Sequence, residues 1–258
     1  MAFELCKSRK GRSVPGLRIS EERGAGSPRF GVWIHARQHA WECGASWVAR
    51  GFAEWLVSDD PRAAALRARA DVTVIPLMDI DHVAMGAGGK MQKPHDHNRD
   101  WSTAPYWPEV RAAMAEIALL HKEGGLDVFV DLHSPGMYHP ETFYLTSPGA
   151  NNTVEGRRNL NRFVQASKAE MNGPLALREE QQVAGPDYTQ GWRAMSQNRV
   201  TAHTSGQAVA LTLEAAWNNP ESTAEGYMVL GRQLGLAMER YLRKNPRKSI
   251  SAEESEHR

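Results

Sequence analysis

The chain has 258 residues, 41% apolar and 24% charged, with a formal net charge of +1. Its 31 basic and 30 acidic residues give no basic surface of the kind that binds nucleic acid or anionic membranes. No apolar run approaches the roughly 20 residues of a membrane span. Residues 1–7 lack the apolar core of a secretory signal. The two cysteines, Cys6 and Cys43, lie outside any CxxC pair and fit a reduced, cytoplasmic protein.

Strand-like and helix-like segments alternate along the chain. Residues 30–34 (Phe-Gly-Val-Trp-Ile) read as a short buried strand, and residues 45–57 as an amphipathic helix with Trp47, Val48, Phe52, Trp55 and Leu56 for its inner face. Residues 71–77 predict a second strand and 109–122 a second helix, stopped by Gly124 and Gly125. A third strand follows at 126–132, a helix at 154–171, a fourth strand at 208–213 and a closing helix at 222–242. The polar tail from Lys244 onward predicts a frayed end, so that one domain occupies residues 1–243. Runs of β-branched residues separated by helices indicate an α/β domain around a buried, mainly parallel sheet, and ligands bind such sheets at the C-terminal ends of the strands.

Three of those ends carry unusual residues. The first strand runs into His35-Ala36-Arg37-Gln38-His39-Ala40-Trp41-Glu42, the third into Asp131-Leu132-His133-Ser134, and the fourth into Leu213-Glu214. His39 and Glu42, three apart at a strand-to-helix turn, can point to one side. Two imidazoles and one carboxylate form a known catalytic zinc ligand set that leaves the fourth position for water. A lone His-x-x-Glu is common by chance; its convergence with His133 and Glu214 at other strand ends is not.

With these residues the chain resembles the zinc carboxypeptidases, and among them the cytosolic branch. The resemblance rests on His39-Ala40-Trp41-Glu42, on Asn98-Arg99 within Pro94-His95-Asp96-His97-Asn98-Arg99-Asp100-Trp101, on His133, and on Thr212-Leu213-Glu214, in the family's order. It implies a single α/β domain with a mixed, mainly parallel, eight-stranded sheet, whose extra strands come partly from residues 13–19 and 142–145. It also implies one zinc ion held by His39, Glu42 and His133, with Glu214 as general base. Arg99, assisted by Asn98, would receive a substrate's terminal carboxylate, because a guanidinium fork meets two carboxylate oxygens with parallel N–H donors. The competing reading of Arg99 is a surface salt bridge to Asp96 or Asp100. Asp96 stands where the family has an acid that orients the first zinc histidine, or else is a turn cap.

The chain departs from the family in lacking an arginine between Ala70 and Arg99, where the oxyanion-stabilising one is expected. Lys90 and Gln92 are the available replacements. Tyr188, or Tyr138, is the candidate for the family's mobile tyrosine. Counting fifteen residues back from Glu214 gives Arg199 at the floor of the side-chain pocket, which would select acidic C-terminal residues; the alternative places Arg199 on a solvated loop. The expected substrate is a peptide or small amide with a free carboxylate, with neither nucleic acid nor membrane as partner. An N-acyl amino-acid deacylase of the aspartoacylase type and a non-catalytic binder of peptide ends are the alternatives.

Overall fold

The computed structural model describes residues 1–21, 29–88, 90, 92–122, 125–136, 139–151, 153–204 and 206–244. The tail from residue 245 lies outside them. In chain order the elements are β1 (Ala2–Lys7), β2 (Ser13–Ile19), β3 (Phe30–Ala36), α1 (Cys43–Leu56), α2 (Pro61–Arg67), β4 (Ala70–Ile75), α3 (Ile80–Ala84), α4 (Pro108–Lys122), β5 (Val128–His133), β6 (Phe143–Thr146), α5 (Val154–Glu170), β7 (Gln182–Val183), α6 (Ser196–His203), β8 (Val209–Glu214) and α7 (Ala224–Arg243). The eight strands form one sheet in the order β1-β2-β4-β3-β5-β8-β6-β7. The β4-β3-β5-β8 run at its centre is parallel, as is β6-β7; the β1-β2, β2-β4 and β6-β8 pairs are antiparallel. No helix of the described residues is long and apolar enough to cross a membrane.

The central strands are buried on both faces because helices cover both. Side chains alternate between two cores. Val32 and Ile34 of β3, Val128, Val130 and Leu132 of β5, and Val209, Leu211 and Leu213 of β8 pack under α1, α5 and α7. Trp33, Phe129 and Ala210 from the same strands pack on the opposite face with Trp101, Trp107 and α4. The period of two carries that second face onward to His35, Asp131, His133 and Glu214. The polar residues at the strand ends therefore share one face of the sheet.

On the other face α1 and α7 cross at backbone distance. A Cβ on Gly231 would lie 2.1 Å from the carbonyl oxygen of Val48, and one on Gly51 would lie 2.2 Å from that of Met228. Only hydrogen fits at either position. Helix starts follow ordinary capping chemistry: Asp60, Thr153 and Thr223 accept from backbone N–H groups of α2, α5 and α7, and Pro61 occupies the first turn of α2. Glu170 of α5 bridges Arg62 of α2 and Arg240 of α7, tying the three helices together.

The sequence reading located the four central strands and the four long helices, and the two strands added by the resemblance are β2 and β6. It passed over β1 and β7, the short helices α2 and α3, and α6, whose sequence Ser-Gln-Asn-Arg-Val-Thr-Ala-His has no apolar stripe.

Candidate active site

The site begins where β3 ends. Arg37 has φ +61, a left-handed conformation that residues with a Cβ rarely adopt. Its N–H donates to Leu132 O at 3.3 Å and its Nε to Ala40 O at 3.0 Å, so the turn is fastened to β5. Five residues later Glu42 is the N-cap residue of α1. His133 and Glu214 are the last residues of β5 and β8 and are register partners.

His39 Nδ1 lies 2.8 Å from Glu42 Oε1, and His133 Nδ1 lies 2.8 Å from Glu42 Oε2. All three side chains are buried. The outer ring nitrogens also face acids: His39 Nε2 is 3.7 Å from Asp96 Oδ1, and His133 Nε2 is 3.0 Å from Asp131 Oδ2. A neutral imidazole has one N–H, so a carboxylate at both nitrogens calls for a second proton or a cation on each ring. Burial alone would lower the proton affinity of His133, but Asp131 and Glu42 outweigh it and raise the ring well above its ordinary value. Burial likewise opposes ionisation of Glu42, yet His39 and His133 hold its carboxyl down at about 2. A divalent cation among the two Nδ1 atoms and Glu42 would meet the same demand with both rings neutral and their Nε2–H groups turned toward Asp96 and Asp131. Two nitrogens and a carboxylate suit zinc. The residues fit the ion.

Glu214 is buried and its Oε2 has no hydrogen-bond partner among the described residues. Burial pushes its carboxyl up to about 7, with Glu42 adding to the push and His133, His39 and Lys90 opposing it. A carboxylate of this kind is suited to exchanging a proton near neutrality.

These four residues open into a cleft of about 350 Å³, whose walls include Lys90, Asn98, Arg99 and Tyr188. The Arg99 fork has no carboxylate partner among the described residues. Its Nη1 donates to Asn98 O at 2.7 Å and its Nη2 lies 3.5 Å from Thr189 Oγ1. The salt-bridge alternatives are occupied elsewhere: Asp96 faces His39, and Asp100 accepts from the backbone N–H groups of Tyr106 and Trp107. Asn98 is held by the N–H of Ser196, which donates to its Oδ1 at 2.9 Å. Gln92 is buried and turned away, donating to Gln38 O and Asp79 Oδ2, which leaves exposed Lys90 as the cation at the cleft. Burial and the neighbouring Glu214 push the Tyr188 hydroxyl up to about 12, so it stays a proton donor. Tyr138 lies outside the described residues.

Arg199 lies within α6. It is not among the residues lining the cleft; Met195, immediately before α6, is. A gapless count treats residues 195–199 as one stretch of loop, whereas Arg199 lies a full helical turn beyond Met195.

Asp131, quoted beside His133 in the sequence but given no role there, also faces the site, its Oδ2 3.0 Å from His133 Nε2. Its position two before His133 on a strand, hence on the same face, was the available signal. Trp41 and Trp217 also line the cleft, their rings edge to face at 5.4 Å. A second group, Asp79, His97 and Glu109, is equally buried, but its acids meet opposite ring nitrogens. Glu109 Oε1 is 2.8 Å from His97 Nε2, and Asp79 Oδ2 is 3.8 Å from Nδ1. One cation cannot take both sides of the ring, and the group acts as a buried brace.

The family model described as zinc carboxypeptidase matches residues 2–106, the part holding His39, Glu42, Asn98 and Arg99. Mouse cytosolic carboxypeptidase 4 is 37% identical over 103 residues, which is 39% of this chain and 9% of that protein. Cytosolic carboxypeptidase 1 of Danio rerio is 28% identical over 141 residues, 50% of this chain and 12% of its own. The chain thus spans about a tenth of these relatives. Among solved structures, a metallo-carboxypeptidase from Burkholderia cenocepacia has the same fold, with a TM-score of 0.79 at 23% identity over 93% of this chain and 64% of that one. A metallo-carboxypeptidase from Pseudomonas aeruginosa, solved with (2-guanidinoethylmercapto)succinic acid, aligns with a TM-score of 0.74 at 24% identity, over 92% of this chain and 64% of that one.

Proposed function

We propose that this chain, a relative of the zinc carboxypeptidases in sequence and in fold, is a zinc hydrolase that removes the C-terminal amino acid from a peptide or small amide. The observation that carries the reading is the convergence of His39 Nδ1 and His133 Nδ1 on the two oxygens of Glu42, with Glu214 beside His133 and an unpaired Arg99 in the same cleft.

The Arg99 fork binds the substrate's terminal carboxylate, and Asn98 keeps the fork in place through its carbonyl oxygen. The scissile amide then lies between Arg99 and the two histidines. His39, Glu42 and His133 would hold a zinc ion, which when bound would supply Lewis acidity to the carbonyl and the attacking water. Glu214 takes one proton from that water as its oxygen adds to the carbonyl carbon. Lys90 places a positive charge where the carbonyl oxygen becomes negative. As the C–N bond breaks, Glu214 gives the proton to the departing amine, and an acid and an amine leave. Tyr188 donates its hydroxyl proton as a hydrogen bond to the bound peptide. A cytosolic site of action is supported by the names of the curated relatives.

The test is release of a free amino acid, followed by mass spectrometry, from peptides that differ only in ending as a carboxylate or an amide. The reading requires release from the acid and at least about tenfold slower release from the amide, since only the acid engages Arg99. Equal release from both removes the terminal-carboxylate assignment. Release of an acyl group from an N-acyl amino acid, with intact peptides untouched, makes the chain a deacylase.

A further inference from the structure

Asp131 is fully buried at the centre of the polar face, in register with His35 on β3 and Thr212 on β8. Two hydrogen-bond donors and two histidine ring nitrogens, from four separate places, surround it. His35 Nε2 lies 2.9 Å from Oδ1, and His35 Nδ1 accepts from Trp33 Nε1 at 3.0 Å. Gln38 Nε2 donates to Oδ2 at 2.6 Å, its amide orientation fixed by Trp101 Nε1 donating to Gln38 Oε1 at 2.8 Å. Ser196 Oγ donates to Oδ2 at 2.5 Å, and His133 Nε2 lies 3.0 Å from the same oxygen. An ionised carboxylate is an acceptor only, with room for about four donors. Neither asparagine nor any apolar residue can meet this set.

Ser196 works in two directions. Its hydroxyl goes to Asp131, and its backbone N–H goes to Asn98 Oδ1. Asn98 in turn holds Arg99 through its carbonyl oxygen. One carboxylate is thus joined to a candidate metal ligand on one side and to the candidate carboxylate anchor on the other.

We propose that Asp131 is a positioning residue for both halves of the site: it orients His133 directly and, through Ser196, sets the Asn98–Arg99 anchor relative to the metal ligands. The inference rests on the zinc carboxypeptidase reading above. It assigns different consequences to two neighbouring substitutions. Asp131→Asn offers an N–H where the network needs an acceptor, so the ring of His133 loses its outer partner. Ser196→Ala removes only the link to the anchor and leaves His133 with Asp131.

The experiment measures zinc affinity by competition with a chromogenic chelator, and kcat and KM for a blocked dipeptide with a free carboxylate, in wild type, Asp131→Asn and Ser196→Ala. Asp131→Asn should weaken zinc by about 10- to 100-fold, the usual effect of removing a ligand's outer hydrogen-bond partner. Ser196→Ala should keep zinc affinity within about threefold, raise KM by roughly tenfold and change kcat by less than about threefold. If Asp131→Asn does not fold, the split between KM and zinc affinity in Ser196→Ala decides alone. Wild-type zinc affinity in Asp131→Asn, or a wild-type KM in Ser196→Ala, overturns the inference. A wild type that takes up no zinc, or turns over no substrate, instead overturns the reading on which it rests.

Discussion

His133 and Glu214 are register partners across the parallel β5–β8 pair, so both side chains leave the sheet on one face at the same level. Only the first makes a close contact with Glu42; the second keeps a buried oxygen without a protein partner among the described residues. That division matches the roles proposed for His133 as ligand and Glu214 as base. Glu214→Gln should retain zinc while lowering kcat by about 10²- to 10⁴-fold, the range for loss of a general base. Zinc loss in the variant, measured by elemental analysis, would make Glu214 a ligand instead.

The same carboxyl gives the metal-free protein a pH signature. Its value in the fold, about 7, stands above the ordinary 4.5. The folded state therefore binds that proton more tightly than the unfolded state. The resulting stability is fully present below the ordinary value and is lost as pH rises through the folded one. Glu214→Gln abolishes the dependence. In chelator-treated protein the variant should gain on wild type between about pH 5 and about pH 8, by up to a few kcal/mol. Denaturant melts that shift by the same amount at both pH values would contradict it.

Arg99 is expected to act in binding more than in turnover. Arg99→Lys keeps the charge but loses the fork, so KM for a free-carboxylate dipeptide should rise by about 10- to 100-fold, with a smaller change in kcat. The C-terminal amide should show little change. Lys90→Ala should do the reverse, lowering kcat by about 10-fold or more at nearly constant KM. Steady-state kinetics of the two variants, side by side, checks both assignments.

Away from the chemistry, the α1–α7 crossing depends on its glycines. Gly231→Ala would put a methyl group against the Val48 carbonyl at a separation of 2.1 Å, so the helices must part. A cost of about 1–3 kcal/mol, or more, is expected from overpacking. It should appear as a lower denaturation midpoint with zinc affinity unchanged. An unaltered midpoint would mean that the crossing yields easily.

The central strands were legible because burial on both faces writes continuous apolar runs, and the candidate ligands because a metal site calls for particular residue types at strand ends. Edge elements were not. The alternating burial of β1 is shallow, and β7 has only two residues, too short to leave a pattern. The α6 helix was hidden for another reason: Ser196, Gln197 and Asn198 are buried, but by hydrogen bonds rather than apolar contacts, so no hydrophobic period marks them. The segment that reads as a loop, Ser196 to Arg199, is helical. Asp131 was visible beside His133, yet its partners His35, Gln38 and Ser196 come together only when β3, β5 and α6 do.

Zinc stoichiometry is the most direct test of the proposed metal centre. Chelator-stripped protein should take back one zinc per chain on dialysis, and His39→Ala, Glu42→Ala and His133→Ala should each take back far less, since each removes one of three protein ligands. Full zinc uptake by any of these variants, or none by the wild type, would contradict the assignment of His39, Glu42 and His133 as the metal centre.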